Sequence, residues 1–159
     1  MYLALKTVHV LAVVAFLGNI SLGLFWKRFA DRTGDPAIIA HTMRTIIALD
    51  RLITIPTIVV IVATGIGLTL IAGIPLLGTG WVLWAIVLLV ISGLAFVPVA
   101  RAQVEMYDAA KTGMQNAEER ARYLQFSHVW DRWGSLALLS PLIALALMVI
   151  KPALPALHH

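Results

Sequence analysis

The chain has 159 residues, 60% of them hydrophobic and only 13% charged, against roughly 45–50% and 25% in ordinary water-soluble domains. A soluble domain of this length could not hide so much apolar surface, so the solvent is largely lipid, with room for a single domain. A net charge of +4 beside apolar runs speaks for membrane orientation and anionic headgroups rather than nucleic acid, and the absence of cysteine excludes disulfides, thiolate metal sites and cysteine nucleophiles.

The first apolar run spans about residues 3–26. Tyr2 and Lys6 suit one interface, and Trp26, Lys27 and Arg28 the other, as aromatic and snorkelling anchors. Its positive charges follow the apolar core instead of preceding it, so it reads as a retained helix and not a cleaved signal. His9 lies inside it, and Asn19 sits between Gly18 and Gly23, where a neighbouring helix can come close. The polar stretch Arg28 to Gly34 reads as a link. Asp35-Pro36 then has the form of an N-cap and a first-turn proline, and helical pattern continues from there to Ala72. Residues 37–50 are amphipathic and protrude from the membrane, whereas residues 52–72 are apolar enough to span, with a kink expected at Pro56. Asp50, Thr54, Thr57 and Thr64 share one stripe, which should face the bundle.

An uncharged turn, Gly73 to Gly80, leads to the third span, about residues 81–100, anchored by Trp81 and Trp84. Its polar continuation stops at Gly113. Asn116-Ala117-Glu118-Glu119 has the spacing of a capping box. It opens a helix that is polar to Arg132 and spans over about residues 133–150, with Pro141 near the middle of the span and Lys151-Pro152 closing it. His158 and His159 are given no role.

The fold class is therefore all-α: a polytopic four-helix membrane bundle whose second, third and fourth helices extend into the cytoplasm. Segments 27–51 and 101–132 hold ten of the twelve Lys and Arg residues and all eight Asp and Glu. The positive-inside rule puts both segments in the cytoplasm and both termini outside, in the inner membrane of a bacterial cell.

Two sets of residues invite a functional reading. His9 is an ionisable group inside a span, which is costly unless it faces a partner, an interior or a cofactor; imidazole is also the commonest ligand for haem iron and for copper. Counted inward from Lys6 and Lys151, His9 and Met148 fall at similar depth, and a His/Met pair is one way to hold haem. The alternative is a histidine that hydrogen-bonds across helices. His41 and His128 belong to the cytoplasmic extensions, far from His9, and no histidine spacing marks a dedicated metal site. The second set is an inner polar cluster, Asp50, Arg51, Arg101, Glu105, Asp131 and Arg132, placed where three helices leave the apolar zone. It is either an ion-pair ring that fixes helix register or an anion or headgroup site. No nucleophile with a base and no phosphate loop or nucleotide fingerprint is present.

The stretches Leu5-Lys6-Thr7-Val8-His9-Val10-Leu11, Leu49-Asp50-Arg51-Leu52-Ile53-Thr54-Ile55-Pro56 and Val149-Ile150-Lys151-Pro152 resemble a family of bacterial four-helix integral membrane proteins of unknown function, over nearly the whole chain. More distantly the chain is similar to the HemJ-type protoporphyrinogen oxidases and the CopD-type copper-resistance membrane proteins, which also carry a histidine early in the first helix. That resemblance implies haem b, more than copper, and a haem-ligand role for His9. The chain departs from the HemJ pattern where Ile91 to Pro98 lacks a histidine and Val129 to Gly134 lacks an Asn-Glu-x-Pro motif. What is implied is thus a shared scaffold and ligand rather than the oxidase activity. Two functions stand side by side. One is a haem- or copper-binding protein in a redox or cofactor-handling role, which as an enzyme would be a haem-dependent oxidoreductase. The other is a non-enzymatic bundle serving as an accessory subunit or small transporter, in a homo-oligomer or a larger membrane complex.

Overall fold

The computed structural model describes residues 1–157; His158 and His159 lie outside the described residues. The helices are α1 (Tyr2–Thr33), α2 (Pro36–Leu49), α3 (Ile55–Ala72), α4 (Gly80–Lys111) and α5 (Ala117–Ile150), with a π turn over Asp50–Thr54 joining α2 to α3. Counting α2 to α3 as one rod, four helices are long and apolar enough to cross a membrane. No strand occurs among the described residues.

Contacts between paired helices fix an up-down-up-down bundle. His9 meets Thr64 and Asn19 meets Thr54, so α1 and α3 run antiparallel. Ser92 meets Ala137 and Glu105 meets Arg122, so α4 and α5 do too. All of the charged segments gather at one end of the bundle, called here the charged end; the opposite end carries the N-terminus, the uncharged turn and the end of α5.

Local chemistry explains where the helices stop and start. Asp35 caps α2 by accepting from the Ala37 N–H at 2.8 Å, ahead of Pro36. Asn116 caps α5 by accepting from the Glu119 N–H at 2.8 Å. Glu119 reaches back to the Gln115 N–H at 3.1 Å, so the box closes one residue before the cap itself. Gly34 (φ 65°) and Gly113 (φ 85°) supply the left-handed turns after α1 and α4.

One expectation needs correction. The polar stretch after Arg28 is no link: α1 continues helically through Thr33. Lys27 and Asp31 pair across one turn, and Ala30 is buried in the core of the charged end, so both a local pair and tertiary packing extend the helix. Ahead of Pro56, where the kink is expected, the helix widens into the π turn. The Ile55 N–H bonds back to the Asp50 carbonyl, one residue further than in an α-helix. Proline cannot donate, and its ring crowds the carbonyl four residues earlier; a widened turn just before it relieves both problems.

The packing divides into two apolar clusters. One, at the charged end, is built around Met43, Ala102, Met106 and Trp130. The other, Ala12, Phe16, Leu17 and Ile61, fills the bundle between Asn19 and His9. A short tail after α5 folds across the uncharged end, where Trp84 donates to the Pro155 carbonyl at 3.1 Å and the Leu157 N–H bonds to Leu77 at 3.0 Å. Gly80 makes that possible: a Cβ there would lie 2.1 Å from the Leu154 carbonyl oxygen.

Candidate functional site

The buried face of α1 reads His9, Ala12, Phe16, Asn19, Gly23, Lys27, Ala30, a three-and-four spacing that keeps one stripe toward the bundle. Three of those residues are polar, and each founds a polar centre. His9 and Asn19 are separated by about 15 Å along the helix, and Asn19 and Lys27 by about 12 Å, at 1.5 Å per residue.

The middle centre surrounds Asp50, which is 7% exposed. Its Oδ1 accepts from Asn19 Nδ2 at 3.3 Å and from Thr54 Oγ1 at 2.8 Å, and its Oδ2 accepts from Gln103 Nε2 at 2.8 Å. Asn19 Nδ2 also donates to Thr54 Oγ1 at 2.8 Å. Thr54 follows Asp50 by four residues, which puts the two side chains on one face. Three elements thus converge on one carboxylate. All the groups that touch it are neutral donors, an arrangement suited to the ionised form. No Lys or Arg pairs with it among the described residues. Beside it lies a cavity of about 30 Å³ lined by Asn19, Asp50, Gln103, Trp130 and neighbouring apolar groups.

The second centre, at the charged end, is built on Lys27. Read from the sequence as a snorkelling anchor, Lys27 is instead 1% exposed. Its ammonium bonds Asp31 at 2.8 Å and Ser127 at 2.8 Å, lies 3.2 Å from Asp131, and sits 5.3 Å from the centroid of the Trp130 ring. Tyr123 donates to the other oxygen of Asp31. Burial chiefly, and then the Asp31 carboxylate it bonds, push the Tyr123 phenol well above its ordinary range. A buried ammonium survives because two carboxylates, a hydroxyl and a ring face replace water.

The third centre is the pair His9 and Thr64, with His9 Nδ1 2.8 Å from Thr64 Oγ1. The threonine has one proton, and its closest carbonyl is Val60 at 2.5 Å. The hydroxyl therefore donates there and accepts from Nδ1–H, leaving Nε2 of His9 as the free lone pair. The ring approaches α3 at Gly65, where a Cβ would lie 3.4 Å from Cε1 and 3.8 Å from Nδ1.

The six residues of the expected inner cluster are therefore parted. Asp50 joins Asn19, Thr54 and Gln103; Asp131 joins Lys27; Glu105 pairs with Arg122. Arg51, Arg101 and Arg132 are exposed. Met148 is half-buried on α5, and the polar partner of His9 is Thr64. Of the expected stripe, Asp50, Thr54 and Thr64 face inward, while Thr57 bonds its own backbone at Ile53. His41 lines an open cleft of about 350 Å³ with Arg44, Tyr107 and Lys111, and His128 is exposed on α5. Sequence reasoning passed over Lys27, Gln103, Ser127, Tyr123 and Trp130. For Lys27 the signal was present, since it continues the spacing of the buried stripe that starts at His9.

No curated protein and no solved structure matches the chain. A family model described as "Predicted integral membrane protein (DUF2269)" matches residues 3–152. With four apolar helices arranged as above, the chain belongs to that family and is a multi-pass integral membrane protein.

Proposed function

We propose that the chain is a non-enzymatic membrane bundle of the inner membrane, its charged end in the cytoplasm, that works by proton exchange at Asp50. The observation that carries this is a carboxylate 7% exposed, held by three neutral donors and by no cation. An ionised carboxylate away from water costs several kcal/mol unless it is paired, so this group has a reason to bind and release a proton. One further feature supports a functional role at this site: the helix widens into a π turn at Asp50, and single π turns within helices are frequent at functional sites. Four spans are few for a transporter, so the working form is a homo-oligomer or a subunit of a larger membrane complex.

Vesicles containing the purified protein and a pH-sensitive dye, driven by a potassium diffusion potential, test the reading. Wild-type protein should carry protons well above protein-free vesicles, and Asp50→Asn should lower the flux at least tenfold. Equal flux from the two proteins, or none from wild type, overturns it.

A second reading has its own observation. Thr64 orients His9 with Nε2 free, the arrangement that second-shell partners give to a ligand histidine. His9 would serve as a single nitrogen ligand to haem b, or less well to copper, and Met148 would be the candidate second ligand. Haem would supply one-electron chemistry, and the chain's own part would be to hold the iron and exclude water. Protein expressed with ample haem should then show a Soret band that His9→Ala abolishes or shifts; no band, even after haemin addition, rejects it.

A further inference from the structure

Trp130 stands between two of the polar centres. It is 3% exposed, and its Nε1 is the one buried side-chain nitrogen or oxygen without a hydrogen-bond partner among the described residues. A buried donor is costly to leave unpaired in a dry core. The Lys27 ammonium lies over the ring on the charged side. Trp130 also lines the cavity of about 30 Å³ that Asp50, Asn19 and Gln103 share. That is room enough for an ordered water.

The chemistry of the lining selects the occupant. The indole can only donate, so a bare cation is disfavoured beside it. The Asp50 carboxylate, in its ionised form, can only accept, so an anion is disfavoured too. Asn19, Thr54 and Gln103 occupy three of roughly four acceptor positions on the carboxylate, which leaves one open. A guest must accept from one wall and donate to the other, and water does both. We infer that this cavity binds one water molecule, accepting from Trp130 Nε1–H and donating to Asp50. That water is then a mobile proton donor beside a carboxylate whose other partners, an amide, a hydroxyl and a second amide, are fixed to the chain. It also ties the Asp50 centre to the Lys27 cluster through a single indole ring.

The inference rests on the Asp50 reading only in taking the carboxylate as ionised and its proton as exchanged, and the two can fail separately. In protein labelled with ¹⁵N-tryptophan in detergent micelles, the Trp130 indole signal is assigned by elimination, using Trp26→Phe, Trp81→Phe, Trp84→Phe and Trp133→Phe. The wild-type chain itself should show a cross-peak between that indole proton and a long-lived water. A Trp130 indole without a water cross-peak overturns the site. Ala137→Val adds two methyl groups to a residue that lines the cavity and leaves Asp50 and its donors intact. It should remove the cross-peak and, in the vesicle assay, lower proton flux at least tenfold. Cross-peak lost with flux unchanged overturns the role in exchange. Wild-type vesicles without flux overturn the Asp50 reading, while the cross-peak still decides the water.

Discussion

The two halves of the bundle solve the same problem in opposite ways. In the half toward the charged end, polar groups form networks: Asp50 takes three donors from three elements, and Lys27 collects two carboxylates, a hydroxyl and a ring. In the half toward the termini, His9 has one side-chain partner, Thr64, and the other buried polar groups, Thr69, Ser92 and Ser140, each bond only a backbone carbonyl. Between them Ala12, Phe16, Leu17 and Ile61 form an apolar layer. Polar groups on either side of that layer make no hydrogen bond across it. The asymmetry suits the proposed proton exchange, with Asp50 toward one end and an apolar layer behind it. It also predicts that substitutions at the charged end cost more than the matching ones beyond that layer.

The largest effect should come from Lys27→Ala. Removing the ammonium leaves Asp31 and Asp131 facing each other beside a cavity, and breaking a buried pair costs about 3–5 kcal/mol. Asp131 keeps 47% of its side-chain surface exposed, which places the loss near the lower end, about 3 kcal/mol. A thermal melt in detergent that moves by less than a degree would contradict a working Lys27 network. Asp50→Ala comes next. It strands the donors of Asn19, Thr54 and Gln103, and hydrogen bonds between membrane helices are worth roughly 0.6 kcal/mol on average and up to about 1.7; we expect about 2 kcal/mol. Asp50→Asn should keep part of that stability while abolishing exchange, which separates structure from function at the same residue.

Beyond the apolar layer, His9→Ala should lose about 1 kcal/mol, one interhelical hydrogen bond with some packing. If its cost equals that of Lys27→Ala, the two halves are not different in kind. The smallest effect is pH-dependent. Tyr123 is held neutral in the folded chain, so its folded pKa lies above the unfolded value of about 10. Its contribution is intact below pH 10 and declines as pH rises past it, because only the unfolded chain then releases the phenolic proton. Melting wild type and Tyr123→Phe at pH 9 and at pH 10.5 checks this: the gap between them should narrow at the higher pH.

How much of this could be read in advance differs from residue to residue. The second, third and fourth spans, the Asp35 and Asn116 caps, the stop at Gly113 and the inward-facing Asp50, Thr54 and Thr64 follow from patterns within a turn or two of chain. The π turn did not, because Pro56 announces a defect without saying whether the helix bends or widens. Lys27 was misread because a basic residue beside Trp26 and Arg28 looks like an interface anchor. Only its phase relative to His9, Ala12, Phe16 and Asn19 shows that it points inward. Gln103 and Trp130 carry no local mark at all.

Sequence alone determined that this chain lies in a membrane, how many times it can cross, and which end gathers the charge. Those properties are sums over about twenty residues at a time, and apolar length and Lys/Arg counts suffice for them. The tertiary structure decided which polar groups meet: Asp50 with Asn19 and Gln103, Lys27 with Asp31 and Asp131, His9 with Thr64. Those meetings depend on how each helix is rotated about its axis and where the π turn shifts its phase. In lipid the hydrophobic pattern constrains rotation weakly, since lipid tails are as apolar as the bundle interior. Close packing and the hydrogen bonds themselves set it, and they exist only once the helices are together.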